Sequence, residues 1–229
     1  MREIVFDTET TGLSFVGGDR MVEIGCVELV NRVETGRVFH AYFHPERDMP
    51  AEAERVHGLS AAFLAKHPVF AAGVQALLEF IGDAPLVAHN AGFDFSFLNG
   101  ELERCGNPAV CGSRMVDTLA IARTRHPGAK HTLDALCNRY GIDRSHRVLH
   151  GALLDAQLLA QVYVELMGGR QIGLGLVNEA APIVLEQVVT APARIRPLRV
   201  FSASDAELAA HAAFLKKVKE PLWGVAASE

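Results

Sequence analysis

The chain has 229 residues, 49% of them hydrophobic and 21% charged, with 20 glycines and 10 prolines. That is apolar material for a core of ordinary size and excludes a disordered polymer. With 22 Lys and Arg against 27 Asp and Glu the net charge is −5, which argues against a protein that holds nucleic acid on a broad basic surface but leaves room for a local phosphate or metal site.

Taken in chain order, residues 3–7 (EIVFD) read as a short buried strand. Residues 21–30 alternate, Asn31-Arg32 marks a turn, and 33–43 is β-rich, so a hairpin follows the first strand. The Ala-rich region 51–82 has helical spacing through Val74, Leu77, Leu78 and Ile81. Residues 85–89 are a short apolar run, with a helix expected from about Phe93 to Cys105 and Asn90 able to cap it. A strand at Met115–Val116 precedes helical patterns near 118–125, 132–139 and 151–167, with Asp117 and Thr118 read as a cap and Gly168-Gly169 as a stop. This order predicts a mixed α/β sheet with a parallel part and an antiparallel edge. Beyond 170 the texture changes. Residues 177–199 hold Pro182, Pro192 and Pro197 without periodicity and read as a linker, and 204–218 regain helical character with Ser204 as N-cap.

Cys26, Cys105, Cys111 and Cys137 form no CxxC and no zinc-ligand spacing, so four buried thiols in a reducing compartment are expected. The N-terminal MREIVFDTET breaks any apolar signal segment, and no run of 18 apolar residues exists. A cytoplasmic chain with no membrane span is therefore expected.

Three pieces carry chemistry. In Phe6-Asp7-Thr8-Glu9-Thr10-Thr11-Gly12, Asp7 and Glu9 lie two apart and so share a strand face. Carboxylates forced together resist ionising unless a cation joins them, and a hard divalent metal does so. Taken alone, the pair reads equally as two solvated acids at a strand end. In His89-Asn90-Ala91-Gly92-Phe93-Asp94, a strand runs into a helix whose first turn carries Asp94; Phe93 and Phe97 read first as core. In His150-Gly151-Ala152-Leu153-Leu154-Asp155, an acid sits in an apolar helical run, where it is costly unless paired or metal-bound, and His150 precedes it as a general-base candidate.

The order and spacing of FDTETTG, HNAGFD and HGALLDA resemble the DEDD superfamily of 3′–5′ exonucleases, in its histidine-containing branch, over roughly residues 1–170. PAEAERVHGLS (50–60), HTLDALCNRYGID (131–143) and HGALLDAQLLAQVY (150–163) narrow the resemblance to the proofreading exonucleases of bacterial replicative polymerases. The resemblance implies a ribonuclease H-like fold and two divalent ions, Mg²⁺ or Mn²⁺. Asp7 would bridge both, Glu9 and Asp155 would complete the site carrying the water, and Asp94 would hold the second ion. His150 would take the water's proton, and Glu52 and His57 would contact the terminal nucleotide, although without the resemblance these two read as an exposed acid and a turn histidine. The expected substrate is a frayed DNA 3′ end and the expected product a deoxynucleoside 5′-monophosphate.

The expected organisation is a nuclease domain (1–170), a peptide at 171–176, the linker at 177–199 and a tail at 200–229. Gln171, Leu174 and Leu176 resemble a sliding-clamp-binding peptide, and Leu222-Trp223 with its helix resembles a tail that docks on the polymerase's catalytic subunit. A small accessory subunit is a further partner the resemblance allows. The competing readings are an exonuclease trimming short RNA or tRNA, a non-catalytic scaffold joining polymerase and clamp, and a metal-dependent hydrolase of small phosphorylated substrates.

Overall fold

The computed structural model describes residues 1–145, 149–169 and 202–219. Two compact units are distinguished, Met1–Gly175 and Leu176–Glu229. The first is built on a five-stranded sheet of order β3-β2-β1-β4-β5. Strands β1 (Arg2–Thr10), β2 (Met21–Val30) and β3 (Val33–Tyr42) are antiparallel, whereas β4 (Leu86–Ala88) and β5 (Met115–Asp117) run parallel to β1. The β2–β3 turn holds Asn31 and Arg32 at positive φ (52° and 65°), the geometry that matches strand twist in a two-residue hairpin. The first strand runs further than its apolar stretch, because pairing with β2 continues to Thr10 opposite Met21.

Alternation along β1 decides which layer meets which face. Ile4 and Phe6 pack with Ile24 and Cys26 against α3 (Phe70–Ile81) and α4 (Ala91–Arg104). Val5 packs with Val27 and Leu29 against Ala156, Leu159, Ala160 and Tyr163 of α7 (Ala152–Leu166). Both faces of β1 are covered, which is why its residues read as a continuous apolar run. The helical spacing over 51–82 resolves into α1 (Ala51–His57), α2 (Ala61–Leu64) and α3. Gly58 ends α1 in the left-handed region (φ 75°), its N–H bonded to Glu54 O at 2.7 Å, a conformation other residues adopt at a cost. Helices α5 (Thr118–Arg125) and α6 (Leu133–Tyr140) follow β5.

Arg20, at the entrance to β2, makes a buried two-pronged pair with Glu101 of α4, Nε–Oε1 at 2.7 Å and Nη2–Oε2 at 2.9 Å. Glu101 Oε1 also accepts from Met21 N at 3.2 Å, so the pair locks the α4 layer to the sheet with its charges satisfied. The expectation of four buried thiols holds for Cys26 and Cys137 only. Cys105 is half-buried and Cys111 exposed, because Val110 takes the inward position, pinned by Asn99, and turns its neighbour out. In the second unit, α8 (Asp205–Leu215) begins at Ser204 as expected, closed by a reciprocal box with Glu207. Among the described residues no helix is long and apolar enough to cross a membrane.

Gly25 of β2 sits opposite Asp7, and a Cβ there would lie 2.3 Å from the Leu153 N and Cα. The start of α7 therefore rests on bare backbone of the sheet. Gly25→Ala is expected to destabilise the fold by about 1–3 kcal/mol or more in denaturant melts, the range of core overpacking. Gly92→Ala, in helical backbone with nothing within 4 Å of the new Cβ, is expected to be neutral or mildly stabilising.

Candidate active site

The candidate residues come from three parts of the chain that the fold brings to the C-terminal end of β1. Asp7 and Glu9 face the α7 layer. Thr8, between them, faces the other layer, and its hydroxyl donates to Asp94 Oδ1 at 2.7 Å. Asp94 reaches this point because β4, the parallel neighbour of β1, ends level with the residues just before Asp7 and leads into α4. The sequence pointed to Asn90 as the cap of α4, but its side chain makes no capping hydrogen bond. Asn90 is itself in the left-handed region (φ 64°), and Asp117 Oδ1 accepts from Asn90 N (3.0 Å), Ala91 N (3.4 Å) and Leu119 N (2.9 Å). One carboxylate thus fixes the first turns of both α4 and α5, which also starts α4 earlier than its apolar spacing suggests.

Asp155 lies in the first turn of α7, 3% exposed, beside Asp7 and Glu9 in one cleft. His150 precedes the helix, and its Nδ1 is 3.2 Å from Asp155 Oδ2. The His150 segment is tied to α1 by His150 N donating to Val56 O at 3.3 Å. Glu9, His150 and Asp155 each offer a ligand atom, all within 4.8 Å of one another. Asp7, Glu9, Asp94, His150 and Asp155 all line one cavity of about 800 Å³, shared with His89, Asn90, Phe93, Arg123 and His131. Phe97 is core as expected, but Phe93 divides itself between the core margin and the cavity wall.

Burial pushes the Asp94 carboxyl from its ordinary 3.8 up to about 7, against the hydrogen bond from Thr8 that pulls it down. A second acid, Glu23, stands directly across the β1–β2 pair from Glu9 and is held by His40 Nε2 at 2.7 Å. Hard oxygen donors crowded in a low-dielectric cleft, one of them reluctant to ionise alone, are the donor set that a divalent cation such as Mg²⁺ or Mn²⁺ suits. Asp7, Glu9, Asp94 and Asp155 fit such ions.

Glu52 is exposed on α1, outside the cavity lining. His57 is buried at the end of α1; its Nδ1 accepts from Leu59 N at 3.0 Å, while its Nε2 has no hydrogen-bond partner among the described residues. Burial pushes its pKa down, and the bond accepted at Nδ1 leaves the N–H on the buried Nε2. Gln171, Leu174, Leu176, the 177–199 linker, Leu222 and Trp223 lie outside the described residues. Sequence reasoning missed Thr8, Glu23 and Gly25. Of these only Gly25 carried a signal, a glycine in the interior of an alternating strand.

The family model RNase_T, described as Exonuclease, matches residues 4–163. The chain is 53% identical over 186 residues to the DNA polymerase III subunit epsilon of Rickettsia conorii, covering 80% of this chain and 81% of the relative. It is 43% identical over 229 residues to the subunit of the same name from Escherichia coli K12, covering 96% and 94%. In fold it is similar to the nuclease domain of 3′hExo, a DEDDh family member bound to rAMP, with TM-score 0.63 at 15% identity over 73% of this chain and 92% of that one.

A raised Asp94 pKa means that the folded protein binds this proton more tightly than the unfolded chain. Without metal, its contribution to stability falls as pH rises from about 4 to about 7. Above that window a cation relieves the penalty. Thermal melts of the parent are expected to shift upward on adding Mg²⁺, more at pH 8 than at pH 5. Asp94→Asn keeps an acceptor for Thr8 and is expected to lose most of that shift, with a metal-free melting temperature at or above the parent's at pH 8.

Proposed function

The chain belongs to the exonuclease family, among the epsilon subunits of DNA polymerase III, and on that premise we propose how its cleft performs the reaction. The activity is 3′–5′ exonucleolytic proofreading, removal of mispaired 3′-terminal nucleotides during DNA replication. The observation that carries the site assignment is the gathering of Asp7, Glu9, Asp94 and Asp155 in one cleft with His150 beside Asp155.

Enzymes of this family depend on metal. Here the four carboxylates would hold two divalent cations, Mg²⁺ or Mn²⁺, which would supply Lewis-acid stabilisation of the phosphoryl oxygens, the attacking oxygen and the leaving oxygen. The protein's own part is positional. Asp7 and Glu9, fixed on a central strand, and Asp155, fixed on a helix seated on Gly25, hold their donors still. The His150 imidazole accepts a proton from the attacking water as the new O–P bond forms and the P–O3′ bond breaks. The products are a deoxynucleoside 5′-monophosphate and a strand one nucleotide shorter. Glu52 and His57 contact the terminal nucleotide from the α1 side, the role that the resemblance to this family implies for them. Selection of mispaired ends follows from cost, since a mismatched terminus unpairs with least penalty before it enters the cleft.

Residues 1–170 form the nuclease domain in this reading. The segment at 171–176 binds the sliding clamp through Gln171, Leu174 and Leu176, 177–199 is a linker, and 200–229 docks on the alpha subunit through Leu222 and Trp223. A small accessory subunit is a further partner, and the cytoplasm is where this assembly works. The match to the Escherichia coli relative extends over 96% of the chain and supports a common design for the tail, which favours replication over RNA trimming.

Asp7→Ala is expected to abolish nucleotide release while the melting curve without metal is retained. His150→Ala is expected to lower the rate by about 10²–10⁴-fold, the range for loss of a general base, with Mg²⁺ binding by calorimetry preserved. Full Mg²⁺-dependent activity in either variant would remove that residue from the site. Leu222→Ala with Trp223→Ala, in the full chain, is expected to end co-purification with the alpha subunit and leave the rate on single-stranded DNA unchanged.

A further inference from the structure

The cleft is chemically asymmetric. The sheet order puts β2 on one side of β1 and β4 then β5 on the other. Helix α1 belongs to the β2 side, where His57 feels the charge of Glu23 and Val56 bonds the His150 segment. Helix α5 rises from the end of β5, roughly 10 Å from β1 at two strand spacings. The acids and His150 occupy the cavity on the β1 side, and Arg123 lines it from α5.

Charge at the α5 end is settled by its partners. Asp134 is paired with Arg144 at 3.2 Å. Asp117 Oδ1 is engaged by three backbone N–H groups. His89 Nδ1 lies 2.9 Å from Thr118 Oγ1 and burial pushes its pKa down, while His131 Nε2 donates to His126 O at 2.7 Å. Arg123 makes no hydrogen bond or ion pair among the described residues and stands on a helix anchored by buried Thr118 and Ala122. The result is an exposed cation on an anchored helix, without a counter-ion among the described residues, facing a cleft whose other end is acidic. A guanidinium in that setting suits the planar, two-pronged recognition of a phosphate.

We propose that Arg123 holds the phosphodiester next upstream of the scissile one, so that the DNA strand crosses the cleft from α5 toward α1. This rests on the exonuclease reading above. With the terminal nucleotide on the α1 side and the scissile phosphate at the acids, the strand leaves toward β5, where this cation waits. The contact is to backbone and reads no base.

The test uses the full-length protein and two substrates. One is a single-stranded DNA oligonucleotide. The other is an aryl ester of thymidine 5′-monophosphate, which has a scissile phosphate and no upstream one. Arg123→Ala is expected to raise KM for the oligonucleotide about tenfold, with kcat within about twofold and no dependence on the terminal base. The slope of log(1/KM) against log salt is expected to become shallower by about 0.7, one phosphate contact on a single strand. For the aryl ester kcat/KM is expected to change less than about twofold, and Arg123→Lys is expected to recover part of the oligonucleotide KM. An equal loss on both substrates would assign Arg123 to fold or chemistry, and no change on either would leave it outside the strand path; each overturns the proposal. Failure of the parent protein to release nucleotides from the oligonucleotide would instead overturn the exonuclease reading itself.

Discussion

Four carboxylates that repel one another must be held at one point, and most of the first unit's architecture answers that requirement. Left to themselves in a partly dry cleft, such groups move apart or take up protons. Here neither escape is open to all of them. Asp7 and Glu9 are fixed by their pairing with β2, Asp155 by a helix resting on the bare backbone of Gly25, and Asp94 by a hydrogen bond from Thr8. The strain shows where burial is complete, in the upward shift of Asp94. It shows also in the imidazole of His150 drawn against Asp155. An arrangement that is unfavourable empty is one that gains most from a divalent cation.

The sequence told part of this plainly. Alternation located the hairpin, apolar runs located the parallel strands, and the i, i+2 spacing put Asp7 and Glu9 on one face. Those signals are local and periodic. The close approach of α7 to β2 is different, because it depends on what lies opposite Gly25, and only the folded chain says that the opposing atoms are those of Leu153. Asn90 misled for a related reason. Its residue type suits a cap, but a carboxylate from residue 117 had already taken that role, and the freed side chain belongs to the cleft. Glu52 and His57 could be named only through family resemblance, and neither lines the main cavity. Arg123 was unremarkable as sequence, one more basic residue near a helix end; its place in the cleft and its lack of a described partner give it meaning.

A net charge of −5 sits well with this picture. The acids that make the chain mildly acidic include the ones a metal would neutralise, and the proposed grip on DNA is narrow, one arginine and the site itself. A nuclease with a weak hold on its substrate acts mainly where it is tethered, since a tether replaces affinity with effective concentration. Proofreading needs that restraint, because the correctly paired primer end is chemically the same substrate.

The acids that line the cleft are spread from β1 to α7, the first and last regular elements of the first unit. During synthesis, the strand carrying Asp7 and Glu9 leaves the ribosome early, and the helix carrying Asp155 leaves after nearly all the rest of that unit. Until that helix seats against Gly25, the cleft is without Asp155. A chain that stops short of that helix therefore lacks one wall of the cleft, and the cleft is complete only when nearly all of the first unit has been made.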